Sequence, residues 1–189
     1  KNLSFDDYIN ARLYHLAYML FWSQDWFNDL FYFAQNLGIK NSTCLDAITE
    51  EMQSDSGEIK KLVLDFIKET KGELFSSPEE CIEHCSKDSR FEKLANGELG
   101  DNVMNKFRAV ASFLVWPEVC KMVTKVIKRL ILTQGSDELD PEFELFWKDL
   151  CLFVKLKHAY GRSVEDVLLP VKCQLNYDFS RWIADGYPK

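Results

Sequence analysis

The chain has 189 residues, of which 47% are hydrophobic, and this suits one domain with a substantial core. Its net charge of −7 repels phosphate backbones, so we expect neither nucleic acid nor an anionic membrane as a partner. The densest apolar run is HLAYMLFW at residues 15–22, well short of the roughly 20 residues that span a bilayer. The sequence therefore predicts no membrane-spanning segment.

Six cysteines are spaced irregularly along the chain. They are Cys44, Cys81, Cys85, Cys120, Cys151 and Cys173. A domain of this length folds without disulfides, so the pattern predicts reduced thiols and a cytoplasmic location. The sequence begins at Lys1 without Met and ends on GYPK. We expect residues 1–189 to be a single helical domain cut from a longer protein.

Apolar residues repeat with the helical period through most of the chain. Ser4 is placed to cap the first helix, and Asp7 occupies the third position of a capping box. A second helix is predicted from about Trp26 to Leu37, and Gly38 is placed to stop it. Asn41 or Ser42 is placed to cap a third helix, and later helices are predicted to begin near Ile59, Ser77, Leu99, Val119 and Pro141. Pro117 is expected to end or kink the helix that begins near Leu99. The TQGSDELDPE stretch at residues 133–142 is predicted to be a loop.

The C-terminal tail follows a different pattern. Alternate residues from Val171 to Phe179 are apolar, which is the period of an extended strand. Nothing else in the sequence offers a convincing strand to pair with it, so this segment is expected either to lie over helices or to form an edge strand for a sheet outside the chain. A last helical turn should begin at Asp178 or Ser180. The predicted fold is an all-α, multi-helix domain with one short extended C-terminal segment.

The segment CIEHC raises the question of a metal site. Pro78 starts a helix here, so Cys81 and Cys85 lie four residues apart on one face, where His84 could join them. A tetrahedral zinc site needs four ligands, and no second pair at ligand spacing accompanies them. The CxxxCxxC loop that binds an iron–sulfur cluster would need a third cysteine at Asp88. We therefore predict that both cysteines are packing residues and assign no metal ligand.

Arg12, His15, Met19 and Trp22 follow one another at intervals of about one turn along one face of the first helix. This face is either a functional surface or one on which His15 is partly buried and hydrogen-bonded locally, which is the commoner outcome. An enzyme site built from Asp7, Arg12 and His15 would need a deep pocket there. The sequence contains no Gly-rich phosphate loop, GxSxG motif or Cys/His nucleophile pair, so no catalytic residue is assigned.

Two parts of the sequence share their pattern with a known family. The first part is residues 3–30, LSFDDYINARLYHLAYMLFWSQDWFNDL. Its matching features are FDDY at residues 5–8, Arg12, His15 and the aromatic residue Trp22. Near the C-terminus stand LCLFVKLKHA and NYDFSRWI, the second of which carries Tyr177 and Trp182. Together these segments resemble the helical region that follows the catalytic barrel in cobalamin-binding radical S-adenosylmethionine (SAM) proteins.

The resemblance implies a non-catalytic accessory domain that helps to shape or cover a substrate site or binds a partner. Cobalamin, the [4Fe–4S] cluster and SAM would then bind to an upstream part of the polypeptide, which would carry the CxxxCxxC loop. The remainder of that polypeptide is the expected partner, contacted through Arg12, His15, Trp22, Tyr177 and Trp182. The alternative is a stand-alone helical domain that binds a partner helix through an aromatic groove.

Overall fold

A computed structural model describes residues 3–98, 100, 102–134, 141–158, 160–163, 165–166 and 168–188. Over these residues the chain forms ten α-helices and one π-helical turn, and none of them forms a strand. The α-helices are α1 (Phe5–Phe21), α2 (Asn28–Asn36), α3 (Asn41–Ser54), α4 (Glu58–Gly72), α5 (Pro78–Ser86), α6 (Arg90–Ala95), α7 (Val103–Ala109), α8 (Trp116–Gln134), α9 (Pro141–Lys157) and α10 (Phe179–Ala184). The prediction of a single all-α domain is confirmed.

Helix α2 is enclosed by the rest of the domain. Leu30, Phe31 and Ala34 are 0% exposed, and α2 packs against α3 and α8. Helix α1 packs on α3, α4 and α7 through residues at helical spacing. Removal of this apolar surface from water is the main force that holds the helices together. In the described part of the chain, no helix combines the length and the apolar character needed to cross a bilayer.

Local signals place most of the helix ends correctly. The Ser4 hydroxyl accepts a hydrogen bond of 3.1 Å from the Asp7 backbone N–H, and the capping box is complete. Helix α2 ends just before Gly38, whose φ of 91° lies in the left-handed region that glycine adopts most easily. At the next helix neither predicted cap is used, because Lys40 is the N-cap and Asn41 already lies inside α3.

Between Pro78 and Ala95 the structure has two helices where the sequence pattern predicted one. Helices α5 and α6 are separated by Lys87, Asp88 and Ser89, and the φ angles of Asp88 and Ser89 are 55° and 54°. Residues in this left-handed conformation interrupt a right-handed helix. The two helices pack against each other and contain no buried residue. They therefore form a hairpin outside the core, which we call the α5–α6 hairpin.

The predicted break at Pro117 is confirmed, but the helix before it is shorter than expected. Helix α7 leads into a π-helical turn at Val110–Leu114, and α8 then begins at Trp116. Pro117 is tolerated in the first turn of α8 because its missing N–H would have no partner in the helix there. The loop predicted from the TQGSDELDPE stretch lies mostly outside the described residues.

The alternating tail lies over helices, which is one of its two predicted arrangements, and none of its described residues forms a strand within this chain. Leu175, Tyr177 and Phe179 pack against the core, whereas Val171 is 47% exposed. Asp178 then caps α10, since its side chain accepts a hydrogen bond of 3.0 Å from the backbone N–H of Arg181. The tail is thus an extended segment that ends in a short helix.

Candidate contact surfaces

A groove of about 500 Å³ lies between the start of α1 and the segment that follows α4. We call it the N-terminal groove, and it is lined by Leu3, Ser4, Phe5, Tyr8, Leu74, Phe75 and Ser76. Leu3 and Phe5 are 65% and 51% exposed. The Lys71 ammonium lies 5.8 Å from the centre of the Phe5 ring, within range of a cation–π contact. The groove thus offers apolar surface with a positive charge beside it.

Arg12 and His15 lie on α1 and Trp22 is its C-cap, and the three side chains have different surroundings. Arg12 is half-buried and forms an ion pair of 3.7 Å with Glu73. Trp22 packs edge-on against Phe31, with ring centres 5.4 Å apart. His15 is exposed and makes no hydrogen bond or ion pair with any described residue. The alternative of a half-buried, locally bonded histidine is therefore wrong.

The enzyme hypothesis required a deep pocket at Arg12 and His15. Three pockets of the described surface are lined by other residues, at the N-terminal groove, beside the π-helical turn and beside the C-terminal tail. The structure brings Arg12 and His15 onto one helix, and neither residue lines any of these three pockets.

Tyr177 and Trp182 belong to a group of aromatic side chains that joins α2, α9 and the tail. We call it the C-terminal aromatic cluster, and its members are Phe33, Phe146, Tyr177, Phe179, Trp182 and Tyr187. The Phe146 ring centre lies 5.2 Å from that of Tyr177 and 5.3 Å from that of Trp182. Beside the cluster is a pocket of about 420 Å³. Both residues therefore fasten the tail and also line a pocket that a partner side chain could enter.

Two buried carboxylates that the sequence reasoning missed hold the tail in place. Asp149, which is 5% exposed, accepts hydrogen bonds from the backbone N–H and the side-chain amide of Asn176. Asp29, which is 1% exposed, accepts a hydrogen bond from the Tyr187 hydroxyl. Both acids occupy core-facing positions of apolar helices, and this position in the sequence pattern could have indicated that they are buried. A buried acid requires a partner, although sequence spacing does not say which residue provides it.

Helix α5 places Cys81 and Cys85 one turn apart, as predicted, and both are half-buried. Neither thiol belongs to the buried core, which is where a packing role would place it. Desolvation raises the pKa of Cys81, and the neighbouring Cys85 thiol acts in the same direction. The His84 ring contacts Arg90, whose Nη1 lies 2.6 Å from His84 Nε2.

The described residues contain no group of three or more His, Cys, Asp or Glu side chains arranged to hold a metal ion. A tetrahedral zinc site or a cubane cluster needs more ligands than the cysteine pair provides. Among protein-family models, curated proteins and solved structures, none matches this chain significantly. The features with clear geometry are the N-terminal groove, the C-terminal aromatic cluster with its pocket, and the α5–α6 hairpin.

Proposed function

We propose that this chain is a non-catalytic accessory domain of a cobalamin-binding radical SAM protein and that it packs against the remainder of that polypeptide. The N-terminal groove is the observation that carries this proposal. It lies at the start of the segment that bears the family resemblance, and Leu3 and Phe5 expose apolar side chains there instead of filling the domain's own core. Exposed apolar side chains that line a groove are typical of contact sites between proteins.

The charges around the groove fit the same role. Arg12 and Glu73 form an ion pair beside it, and Lys71 lies over Phe5. An apolar centre with a polar, partly exposed rim is the usual composition of a protein interface. A partner surface placed on the groove would bury Leu3 and Phe5 and leave these charges at the edge, where they can remain hydrated.

The proposal assigns all cofactor chemistry to the upstream polypeptide. Cobalamin, the [4Fe–4S] cluster and SAM would be held there, and this domain would contribute surface at the edge of the substrate site. Arg12 and His15 on α1, Trp22 at its C-cap, and Tyr177 and Trp182 on the tail remain the residues predicted to reach the partner or the substrate. His15 is the best placed of them, because its exposed ring has no competing contact among the described residues.

The gene provides the first test. The reading frame that continues upstream of Lys1 should encode a CxxxCxxC motif, which supplies the three thiolates of a radical SAM cluster. A frame that begins at Lys1 with its own initiator codon, or an upstream region without this motif, would contradict the proposal.

A binding measurement tests the groove itself. The upstream polypeptide and this domain are produced as separate chains, and their affinity is measured by calorimetry. Phe5→Asp should weaken binding by more than about 1 kcal/mol, because it places a charge in the apolar centre of the contact. The matched control is Leu64→Asp on α4, where Leu64 is 54% exposed and lies outside the groove. Equal affinities for the two variants would contradict the assignment of the groove.

A stand-alone interaction domain is the second candidate, and the α5–α6 hairpin favours it. Ile82, Phe91 and Leu94 are 65%, 69% and 43% exposed on helices that contribute no buried residue to the core. Such a surface suits a partner helix. Under this alternative the isolated domain should self-associate or retain a partner in light scattering, Phe91→Asp should abolish the association, and the upstream frame should lack the cluster motif.

A further inference from the structure

Cys81 and Cys85 differ from the other four cysteines in that they lie one turn apart on the same helix. Burial raises the pKa of Cys120 to about 12 and those of Cys44 and Cys151 to about 11, so these three remain protonated thiols near neutral pH. Cys173 is exposed on the extended tail. Cys81 and Cys85 are half-buried and lie one turn apart on one face of α5. They are the accessible cysteines that the fold brings together as a pair.

The spacing of the pair suits an ion held between two sulfurs. Side chains one helical turn apart have Cβ atoms about 5–6 Å apart, so two thiolates that lean toward each other can contact one ion without unwinding the helix. Helix α5 is well defined at its start, because the Ser77 hydroxyl accepts a hydrogen bond of 3.2 Å from the backbone N–H of Glu80. Pro78 at its first position adds a fixed φ. The two thiols are therefore presented by a preformed turn.

The number of protein ligands available at the pair indicates which metal ion could bind there. His84 is engaged by Arg90 and packs on Phe75 at a ring-centre distance of 5.0 Å, so it is not available as a third ligand. The described residues provide no further His, Cys, Asp or Glu to complete a larger set. Zinc needs four ligands, whereas soft thiolate ligands favour Cu(I), which is stable with two of them.

We propose that Cys81 and Cys85 form a two-thiolate binding site for a thiophilic, monovalent d¹⁰ cation, with Cu(I) as the ion that fits it. On binding, each thiol releases its proton to solvent, two sulfur–metal bonds form, and no electron is transferred. The cation also removes the repulsion between two neighbouring thiolates, which otherwise opposes loss of both protons. This site does not depend on the accessory-domain proposal, since it uses neither the N-terminal groove nor the tail.

The test uses the whole chain, reduced and kept free of oxygen, with Cu(I) supplied by the coloured chelator bicinchoninate. The wild-type chain should withdraw one equivalent of Cu(I) from the chelator, and Cys85→Ser should lose that equivalent. Cys173→Ser is the matched control, because it removes an accessible cysteine that belongs to no pair, and it should bind as the wild type does. His84→Gln should also bind normally, and loss of copper in this variant would overturn the two-thiolate assignment.

Alkylation footprinting of the wild-type chain gives a second test, which does not depend on whether the variants fold. Bound Cu(I) should protect Cys81 and Cys85 from alkylation by iodoacetamide, read out by mass spectrometry of the digested chain, and should leave Cys173 labelled. Protection of other cysteines in place of this pair, or unchanged copper binding by Cys85→Ser, would overturn the proposal. So would conversion of the pair to a disulfide without retention of copper.

Discussion

The Lys157 ammonium lies 2.8 Å from Asp29 Oδ2 and forms an ion pair that joins the end of α9 to the start of α2. Asp29 is 1% exposed, and its second oxygen accepts a hydrogen bond of 3.3 Å from the Tyr187 hydroxyl. Burial and the nearby Asp29 carboxylate raise the pKa of Tyr187 to about 12, so Tyr187 remains a hydrogen-bond donor. One buried carboxylate thus connects three parts of the chain that are distant in sequence.

Replacement of Lys157 by methionine should lower the free energy of unfolding by about 1–3 kcal/mol, because it leaves the buried Asp29 charge with one fewer partner. The measurement is urea denaturation followed by circular dichroism. The matched control is Lys125→Met, because Lys125 pairs with Glu51 at 2.7 Å but is 65% exposed. Exposed pairs contribute about 0–1 kcal/mol, so a loss at Lys125 as large as that at Lys157 would contradict this account.

Phe179 should be one of the most important residues of the C-terminal aromatic cluster for stability. It is 2% exposed and stacks on Phe153 with ring centres 5.0 Å apart. Phe179→Ala should lower the free energy of unfolding by about 3–5 kcal/mol, because it opens a cavity in the cluster. Phe91→Ala on the α5–α6 hairpin is the control, since Phe91 is 69% exposed and its loss should change stability by about 0.5 kcal/mol or less. Similar losses for the two variants would contradict the role of the cluster.

The parts of the fold that the sequence predicted well are those governed by local interactions. The capping of α1 by Ser4 involves residues within one turn, and so does the start of α5 at Pro78. The period-two pattern of the tail indicated an extended backbone correctly, but it could not say whether that backbone would pair in a sheet or pack on helices. That choice depends on distant partners, such as Asp149 for Asn176.

The candidate site was predicted less completely, for a related physical reason. The spacing of Arg12, His15 and Trp22 fixed their shared helix but not their depth, which depends on the helices packed beside α1. The exposure of Phe5 at the N-terminal groove could not be predicted from the sequence. An apolar residue in the first turn of a helix gives the same sequence pattern whether its side chain is buried or exposed. The groove is also lined by Phe75, which follows α4, so it forms only when α1 and α4 pack together.

Gly161 should resist substitution more than the other glycines near helix ends. Its φ is 67°, and an added Cβ would lie 3.0 Å from Cβ of the buried Trp116. Its backbone N–H also donates a hydrogen bond of 2.8 Å to the Ser112 carbonyl. Gly161→Ala should therefore cost about 1–3 kcal/mol, measured as a shift of the denaturation midpoint. Gly72→Ala is the control, because nothing lies within 4 Å of an added Cβ there. That substitution should be neutral or slightly stabilising, and equal losses at both positions would contradict the steric argument.

His158 lies just after α9, beside Lys157, and its ring stacks on Tyr160 with centres 5.5 Å apart. Its Nε2 is buried and has no hydrogen-bond partner among the described residues. Desolvation by burial and the Lys157 charge lower the pKa of His158, whereas Asp29 and Asp25 act in the opposite direction. The folded state therefore disfavours the imidazolium form of this histidine.

The domain should consequently lose stability as the pH falls from about 7.5 to about 5.5, a range that includes the ordinary histidine pKa of about 6.5. A lowered pKa in the folded state means that the unfolded chain binds the proton more readily. His158 therefore contributes fully to the free energy of unfolding above about pH 6.5, where it is neutral in both states. This contribution declines as the pH falls toward the folded-state pKa. His158→Gln should remove part of this pH dependence in urea denaturation, whereas His15→Gln, on the exposed face of α1, should retain it. An identical pH dependence in wild type and His158→Gln would show that burial of His158 does not control this loss.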